Sequence, residues 1–376
     1  MAGIYIHVPF CRKACHYCDF YFTVSLKYID DYVEALLAEF LIRKKEGENT
    51  PVKTIYLGGG TPSVLEKDHL SRILDQISGV FGIDDGAELT IEANPDDLER
   101  PYLIDLRELG FRRLSIGVQS FHQSDLELMN RSHSAEQSSR SILQAKEAGI
   151  DNINMDLIYG LPGLSQKGWE KNLKTTMELP VNHISAYHLT YEPRTVFHHW
   201  RKKGRLTELP EDTSIEQYML LREITAVHGF EHYEISNFAL PGFRSEHNST
   251  YWSGQAYLGF GPSAHSFMGN ERRWNVASLG KYIQNIKDGS PMHESEQLSI
   301  ADQYNETLIT SLRTDRGVDL QIIRERYGED AKQDLLERAT VYIQREEMKR
   351  EEDILKMTPE GWLRSDLIIS NLMIDE

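Results

Sequence analysis

Cys11, Cys15 and Cys18 carry the most specific chemistry in the chain: they are its only cysteines and stand as C-x-x-x-C-x-x-C within eight residues. An odd, tightly clustered set is a poor disulfide framework and a good metal or cluster site. Three thiolates on one short loop can hold three irons of a cubane 4Fe-4S cluster and leave the fourth without a protein ligand. The amino and carboxylate groups of S-adenosylmethionine can chelate that open corner, and an electron from the cluster can then cleave the sulfonium to a carbon radical. Zinc is the competing reading, with His7 or His16 as fourth ligand. Structural zinc sites usually pair two C-x-x-C knuckles or a cysteine pair with a distant histidine pair, and no second knuckle exists here.

The elements that must position this loop follow one rhythm, a short β-branched run ending in polar or glycine residues and followed by an amphipathic helical stretch. That is the pattern of a parallel β/α architecture. Six strands are expected, at 3–8, 52–57, 88–93, 113–118, 152–158 and 183–189. Between the first two, Ile29, Val33, Leu36, Leu37, Phe40 and Leu41 fall at helical spacing and predict one buried stripe; Leu70, Ile73, Leu74 and Ile77 repeat it later. Six units are fewer than the eight of a closed barrel, and right-handed crossovers curl them into a partial (β/α)6 barrel with an open side. From Pro193 the rhythm breaks into irregular, aromatic-rich and then glycine-rich stretches. Residues 300–376 predict three or four helices with a short hairpin at 354–363, the order of a winged-helix module. The fold class is therefore α/β, a barrel at 1–230, an extension at 231–290 and a mostly helical module at 291–376.

In such a barrel, functional groups collect at the carboxyl ends of the strands. Gly58, Gly59 and Gly60 end the second strand, where missing side chains let a ligand approach the backbone. Glu92 ends the third, Gln119 the fourth and Asp156 the fifth, and Arg131 follows on a loop. A carboxylate accepts hydrogen bonds from hydroxyls or an ammonium, an amide does both, and a guanidinium fork matches a carboxylate. Singly each could be a surface group or a cap; arriving together behind the cysteine loop, they predict one site.

The strings YIHVPFCRKACHYCDFYF at 5–22, GGGTPS at 58–63, EANP at 92–95, SIGVQSF at 115–121 and DLIYGLPG at 156–163 resemble the HemN/HemW group of radical SAM proteins. That group contains oxygen-independent coproporphyrinogen dehydrogenase and a heme chaperone. The resemblance covers nearly the whole chain and implies a radical SAM barrel, a 4Fe-4S cluster on Cys11, Cys15 and Cys18, and S-adenosylmethionine beside it. It implies contacts to the methionine portion from Gly59, Gly60 and Thr61, and cofactor-binding roles for Tyr5, Tyr17, Glu92, Gln119, Arg131 and Asp156.

Two departures separate the subfamilies. The dehydrogenase carries a fourth cysteine two positions after the third and a long N-terminal extension; here that position is Phe20, and the first cysteine comes at residue 11. The stretch from His247 to Trp252 also resembles the HNxxYW motif of the chaperone branch. Neutral imidazole is a common axial ligand of heme iron, and flanking aromatics can stack on a porphyrin. His247 is thus the expected heme ligand, with His265 in the nearby GFGPSAHSF as a rival or as a residue lining the nucleotide pocket. The G-x-G-x-x-A at Gly259, Gly261 and Ala264 lacks a strand-turn-helix context and is discounted as a dinucleotide fingerprint.

The 376 residues carry a net charge of −17. An acidic surface repels phosphate backbones, and acidic residues outnumber basic ones in the C-terminal module as well, so nucleic-acid binding is not expected. The start of the chain lacks a charged-then-apolar leader and no run of eighteen apolar residues appears, which points to a cytoplasmic protein with at most peripheral membrane contact. The expected function is a heme chaperone that passes heme to an acceptor hemoprotein such as a respiratory enzyme. The rivals are the coproporphyrinogen III dehydrogenase, decarboxylating propionates to vinyl groups, and a radical SAM enzyme acting on another substrate.

Overall fold

A computed structural model describes residues 3–47 and 51–375. Six strands, β1 (Gly3–Val8), β2 (Val52–Gly59), β3 (Ile83–Ala93), β4 (Arg113–Gln119), β5 (Asn152–Tyr159) and β6 (His183–His188), pair in chain order and all run parallel. Parallel neighbours need crossovers, and helices including Ile29–Ile42, Lys67–Phe81, Arg100–Glu108, Ala135–Glu147 and Gln166–Met177 supply them.

Strand alternation assigns the two faces. Ile4, Ile6, Val8, Ile55, Leu57, Ile91, Leu114, Ile116, Ile153, Met155, Leu157 and Ile184 pack into the main hydrophobic core. The opposite parity holds Tyr5, His7, Thr54, Tyr56, Glu92, Ser115, Gly117, Asn154, Asp156, Ser185 and Tyr187. A period of two thus sorts an apolar outer face, covered by helices, from a polar inner face that forms the site. Each buried Val, Leu or Ile side chain contributes about 1.5–3 kcal/mol relative to exposure, so slipping a strand by one residue would forfeit the whole set.

β1 and β6 do not close on each other. β7 (Glu231–Glu234) and β8 (Asn237–Ala239) extend the sheet beyond β6, β8 pairing with it antiparallel. On the far side β9 (Tyr257–Phe260) pairs parallel to β1, followed by β10 (His265–Phe267), β11 (Glu271–Asn275) and β12 (His293–Gln297), giving one twelve-stranded sheet.

Three local expectations are corrected. Leu41 is 58% exposed while Glu39 is wholly buried, because the helix 29–42 turns a carboxylate inward to serve Arg43, Asn275 and Tyr282. The stretch after Pro193 contains a seventeen-residue helix, Glu211–Val227, whose buried side mixes Ser214, Gln217 and Thr225 with Tyr218 and Leu221, so polar positions interrupt its apolar period. The C-terminal hairpin lies earlier, at Met348–Glu351 and Ile354–Met357, and residues 359–362 are helical.

Residues 300–375 form a second core around Tyr304, Leu308, Leu335, Leu355, Trp362 and Ile368, built from helices Ile300–Leu312, Leu320–Tyr327, Glu329–Gln344 and Ser365–Leu372 on a three-stranded antiparallel sheet. Among the described residues no helix is long and apolar enough to cross a membrane.

Candidate functional site

The cysteine loop leaves β1 and is closed at its neck by Cys11 N donating to Thr23 O and Thr23 N to Pro9 O. Its far side is pinned to the loop after β4: His16 N donates to Met129 O, His16 Nδ1 bonds Leu128 O at 2.9 Å, and Asn130 Nδ2 donates to Ala14 O at 2.7 Å. Asn130 adopts a left-handed φ of 59° to make that reach, a conformation asparagine tolerates. Ser134 then caps the helix Ala135–Glu147 in a reciprocal capping box with Gln137, which fixes the short segment carrying Arg131.

All three thiols line one cavity of about 560 Å³. Among the described residues no three His, Cys, Asp or Glu side chains converge as donors to a single ion. His7 is bonded at both ring nitrogens, and His16 packs on Trp200, so the mononuclear zinc arrangement is not assembled. Three thiols lining one cavity fit the three-cysteine ligation of a cubane cluster. Burial pushes the Cys11 thiol up to about 11 and the Cys18 thiol up to about 12; a cationic cluster core would offset that cost, because thiolate is the ligating form.

Tyr17, Gly59, Gly60, Thr61, Glu92, Gln119, Arg131 and Asp156 line the same cavity. Thr61 Oγ1 donates to Cys11 Sγ at 3.4 Å, and Arg131 Nη1 to Cys15 Sγ at 3.5 Å and to the Tyr17 hydroxyl at 3.3 Å. Gln119 is held at φ 66°, and the β4–β5 register shifts just before it; left-handed backbone at a non-glycine residue is strain typical of a ligand-facing position. The glycines have a second cause besides ligand approach. A Cβ on Gly60 would lie 2.7 Å from Phe10 O, and one on Gly59 2.5 Å from the His7 ring, so the triplet also lets β2 pack against the cysteine loop.

Two buried carboxyls, Glu92 and Asp156, face the cavity. Burial, and next the neighbouring Asp156, push the Glu92 carboxyl up to about 7, opposed by bonds from the Tyr56 hydroxyl at 2.8 Å and Gly59 N at 3.1 Å. Burial likewise pushes Asp156 up to about 6 against hydrogen bonds led by Asn154. Two raised carboxyls and the half-buried Arg131 guanidinium on one cavity fit a ligand that carries both an ammonium and a carboxylate. Arg131 Nε is buried without a partner, an orphaned donor that a ligand carboxylate could satisfy.

Tyr5 does not join this group. It lines a second cavity of about 830 Å³ with His7, Tyr56, His247, Tyr251, Tyr257 and His265, which shares Cys15, Cys18, Phe20, Phe22, Glu92 and Tyr187 with the first. Its hydroxyl bonds His7 Nδ1 at 3.1 Å and its ring stacks on Tyr56. His247 lies in the wall, 1% exposed, with Nδ1 bonded to Thr54 Oγ1 at 2.8 Å and Nε2 to the Tyr251 hydroxyl at 2.7 Å. Tyr56, Tyr187, Asn94 and Ser115 belong to the site walls without having been singled out; the inner parity of their strands, or a strand-end position, was the available signal.

Residues 5–175 match the family model of the Radical SAM superfamily and residues 298–364 that of the HemN C-terminal domain. The chain is 40% identical over 332 residues to the heme chaperone HemW of Bacillus subtilis (strain 168), covering 87% of each. It is 33% identical over 373 residues to the heme chaperone HemW of Lactococcus lactis subsp. lactis (strain IL1403), covering 99% of this chain and 97% of that one. Its fold is similar to the solved structure of the coproporphyrinogen III oxidase HemN from Escherichia coli, a radical SAM enzyme. That superposition has a TM-score of 0.86 and 26% identity and covers 99% of this chain and 90% of that one.

Proposed function

The chain belongs to the HemW family of radical SAM proteins, and from that premise we propose that it is a heme carrier, holding heme beside a cluster and S-adenosylmethionine site and passing it to an acceptor hemoprotein such as a respiratory enzyme. Cys11, Cys15 and Cys18 would hold a 4Fe-4S cluster, and the first cavity would take S-adenosylmethionine. The observation that carries the reading is the second cavity: about 830 Å³, walled by tyrosines and histidines, and adjoining the first. Flat aromatic walls suit a porphyrin plane.

Arg131 orients a carboxylate, Glu92 and Asp156 accept from an ammonium or hydroxyls, and Gly59, Gly60 and Thr61 bring backbone close. When bound, the cluster supplies the electron that cleaves the sulfonium. Phe20, 69% exposed, lines both cavities where the dehydrogenases it resembles carry a cysteine. We place the barrel at 1–230, its extension at 231–290 and the C-terminal module at 291–376, the change of hydrophobic core falling between Ile283 and Tyr304. Delivery from the cytoplasm to a membrane-bound acceptor needs only peripheral contact.

The likeness to HemN favours one alternative, anaerobic decarboxylation of coproporphyrinogen III. A paired assay separates the two. The anaerobically reconstituted protein with dithionite and S-adenosylmethionine is expected to take up heme stoichiometrically and to form no protoporphyrinogen from coproporphyrinogen III. Product at catalytic turnover would overturn the carrier reading.

A further inference from the structure

An axial ligand to heme iron needs an imidazole nitrogen with its lone pair open to the space the porphyrin fills. Three histidines line the second cavity, and they differ in this respect. His7 is used at both nitrogens, Nδ1 by the Tyr5 hydroxyl and Nε2 by Tyr21 O. His247 is used at both as well, by Thr54 and Tyr251, and its ring is stacked on Tyr56 at 5.1 Å and sits within 6.4 Å of Tyr5. Iron could reach it only by breaking a buried hydrogen bond and displacing a tyrosine from the wall. Leaving a buried polar partner unmatched costs about 1–3 kcal/mol.

His265 is the exception. It is exposed on β10, its ring lies 6.4 Å from that of Trp274, and among the described residues neither ring nitrogen has a hydrogen-bond partner. The short strand is fixed on both flanks, by β11 at Trp274 and Arg273 and by β9 through Phe267 and Tyr257, so the imidazole is offered from a rigid element. Arg194, at the same cavity and paired with Asp19 at 3.2 Å, places a guanidinium where a propionate could compete for it.

We propose that His265 is the axial ligand of the heme iron in the second cavity, and that His247 belongs to the wall that the porphyrin packs against. Desolvation and next the nearby Arg272 lower the His265 pKa, which favours the neutral, ligating form of the ring. The assignment rests on the carrier reading.

Ferric heme titrated into the full chain and followed by its Soret band and electron paramagnetic resonance tests it. The unaltered protein should show imidazole ligation. His265→Ala should lose that signature and bind roughly tenfold or more weakly, and free imidazole should restore the spectrum. His247→Gln should keep the imidazole signature even where packing changes weaken uptake. An unchanged spectrum in His265→Ala, or a loss of ligation seen only in His247→Gln, would overturn the assignment while leaving the carrier reading standing. No uptake by the unaltered chain would overturn both.

Discussion

Arg131 reaches across 116 residues to place Nη1 3.5 Å from Cys15 Sγ, while its Nη2 donates to Asn94 Oδ1 and Gly117 O, both at 2.7 Å. One guanidinium therefore ties the cysteine loop to the ends of β3 and β4, and it keeps Nε buried and unpaired beside the first cavity. Lysine cannot reproduce that fork. Arg131→Lys should lower S-adenosylmethionine affinity by about 1.5–3 kcal/mol, the range for a hydrogen bond to a charged group. Iron content should stay near that of the unaltered protein. Calorimetric titration of the cluster-loaded protein checks it, and an unchanged Kd would remove Arg131 from the ligand site.

Glu92 sets a pH dependence. Burial holds its folded pKa near 7, and the form that accepts from an ammonium or a ribose hydroxyl is the ionised one. Above about pH 7 the carboxylate is charged and affinity for the cationic nucleotide is full. As pH falls below that value the site must first lose a proton, and affinity should drop by up to about tenfold per unit. Glu92→Gln should lower the plateau and flatten the slope. The same titration run from pH 8 to 6 decides it: a profile flat in both proteins would mean that Glu92 does not meet the ligand.

Much of this was legible because the barrel strands have a helix-covered face and a site face, so Ile4, Ile6 and Val8 alternate with Tyr5 and His7 and announce both at once. Glu92, Gln119 and Asp156 were readable for the same reason: in parallel β/α units, strand ends are where side chains meet. What stayed hidden depends on long-range partners. The burial of Glu39 has no local signal, because its partners Asn275 and Tyr282 lie more than two hundred positions away. The HNxxYW resemblance marks His247 as special, but no local pattern shows that Thr54 and Tyr251 occupy both of its nitrogens. Tyr5 reads as part of the cysteine-loop string, yet its side chain faces the second cavity; strand parity gives its face, not which of two adjoining cavities it meets.

The two cavities can be separated by substitution. Cys11→Ser, Cys15→Ser and Cys18→Ser remove thiols from the first cavity, although Cys15 and Cys18 also touch the second. Each should abolish the broad visible absorbance of the reconstituted cluster. Cys11→Ser, which leaves the second cavity's lining intact, should still take up heme within about threefold of the unaltered affinity, a difference of about 0.7 kcal/mol. Loss of heme uptake in step with the cluster in Cys11→Ser would show that the cluster itself completes the heme site.

The strip that carries His265 is anchored by a buried carboxylate, and its removal should be felt throughout the sheet edge. Glu39 accepts from Arg43 Nη1 at 3.0 Å and Asn275 Nδ2 at 2.8 Å on one oxygen, and from Gly261 N at 2.9 Å and the Tyr282 hydroxyl at 2.7 Å on the other. These bonds join helix 29–42 to β11, to the turn after β9 and to helix Leu279–Asp288. Glu39→Ala leaves Arg43, 4% exposed, with Glu46 as its remaining carboxylate and strands three more donors. Breaking one side of a buried ion pair costs about 3–5 kcal/mol, so the urea midpoint should fall markedly. Glu39→Gln keeps the shape and one acceptor but turns an N–H toward Gly261 N and Tyr282, and should fall between. A Glu39→Ala protein within about 1 kcal/mol of the unaltered one would mean that the strip is held by its strand pairing alone, and that the carboxylate is dispensable to it.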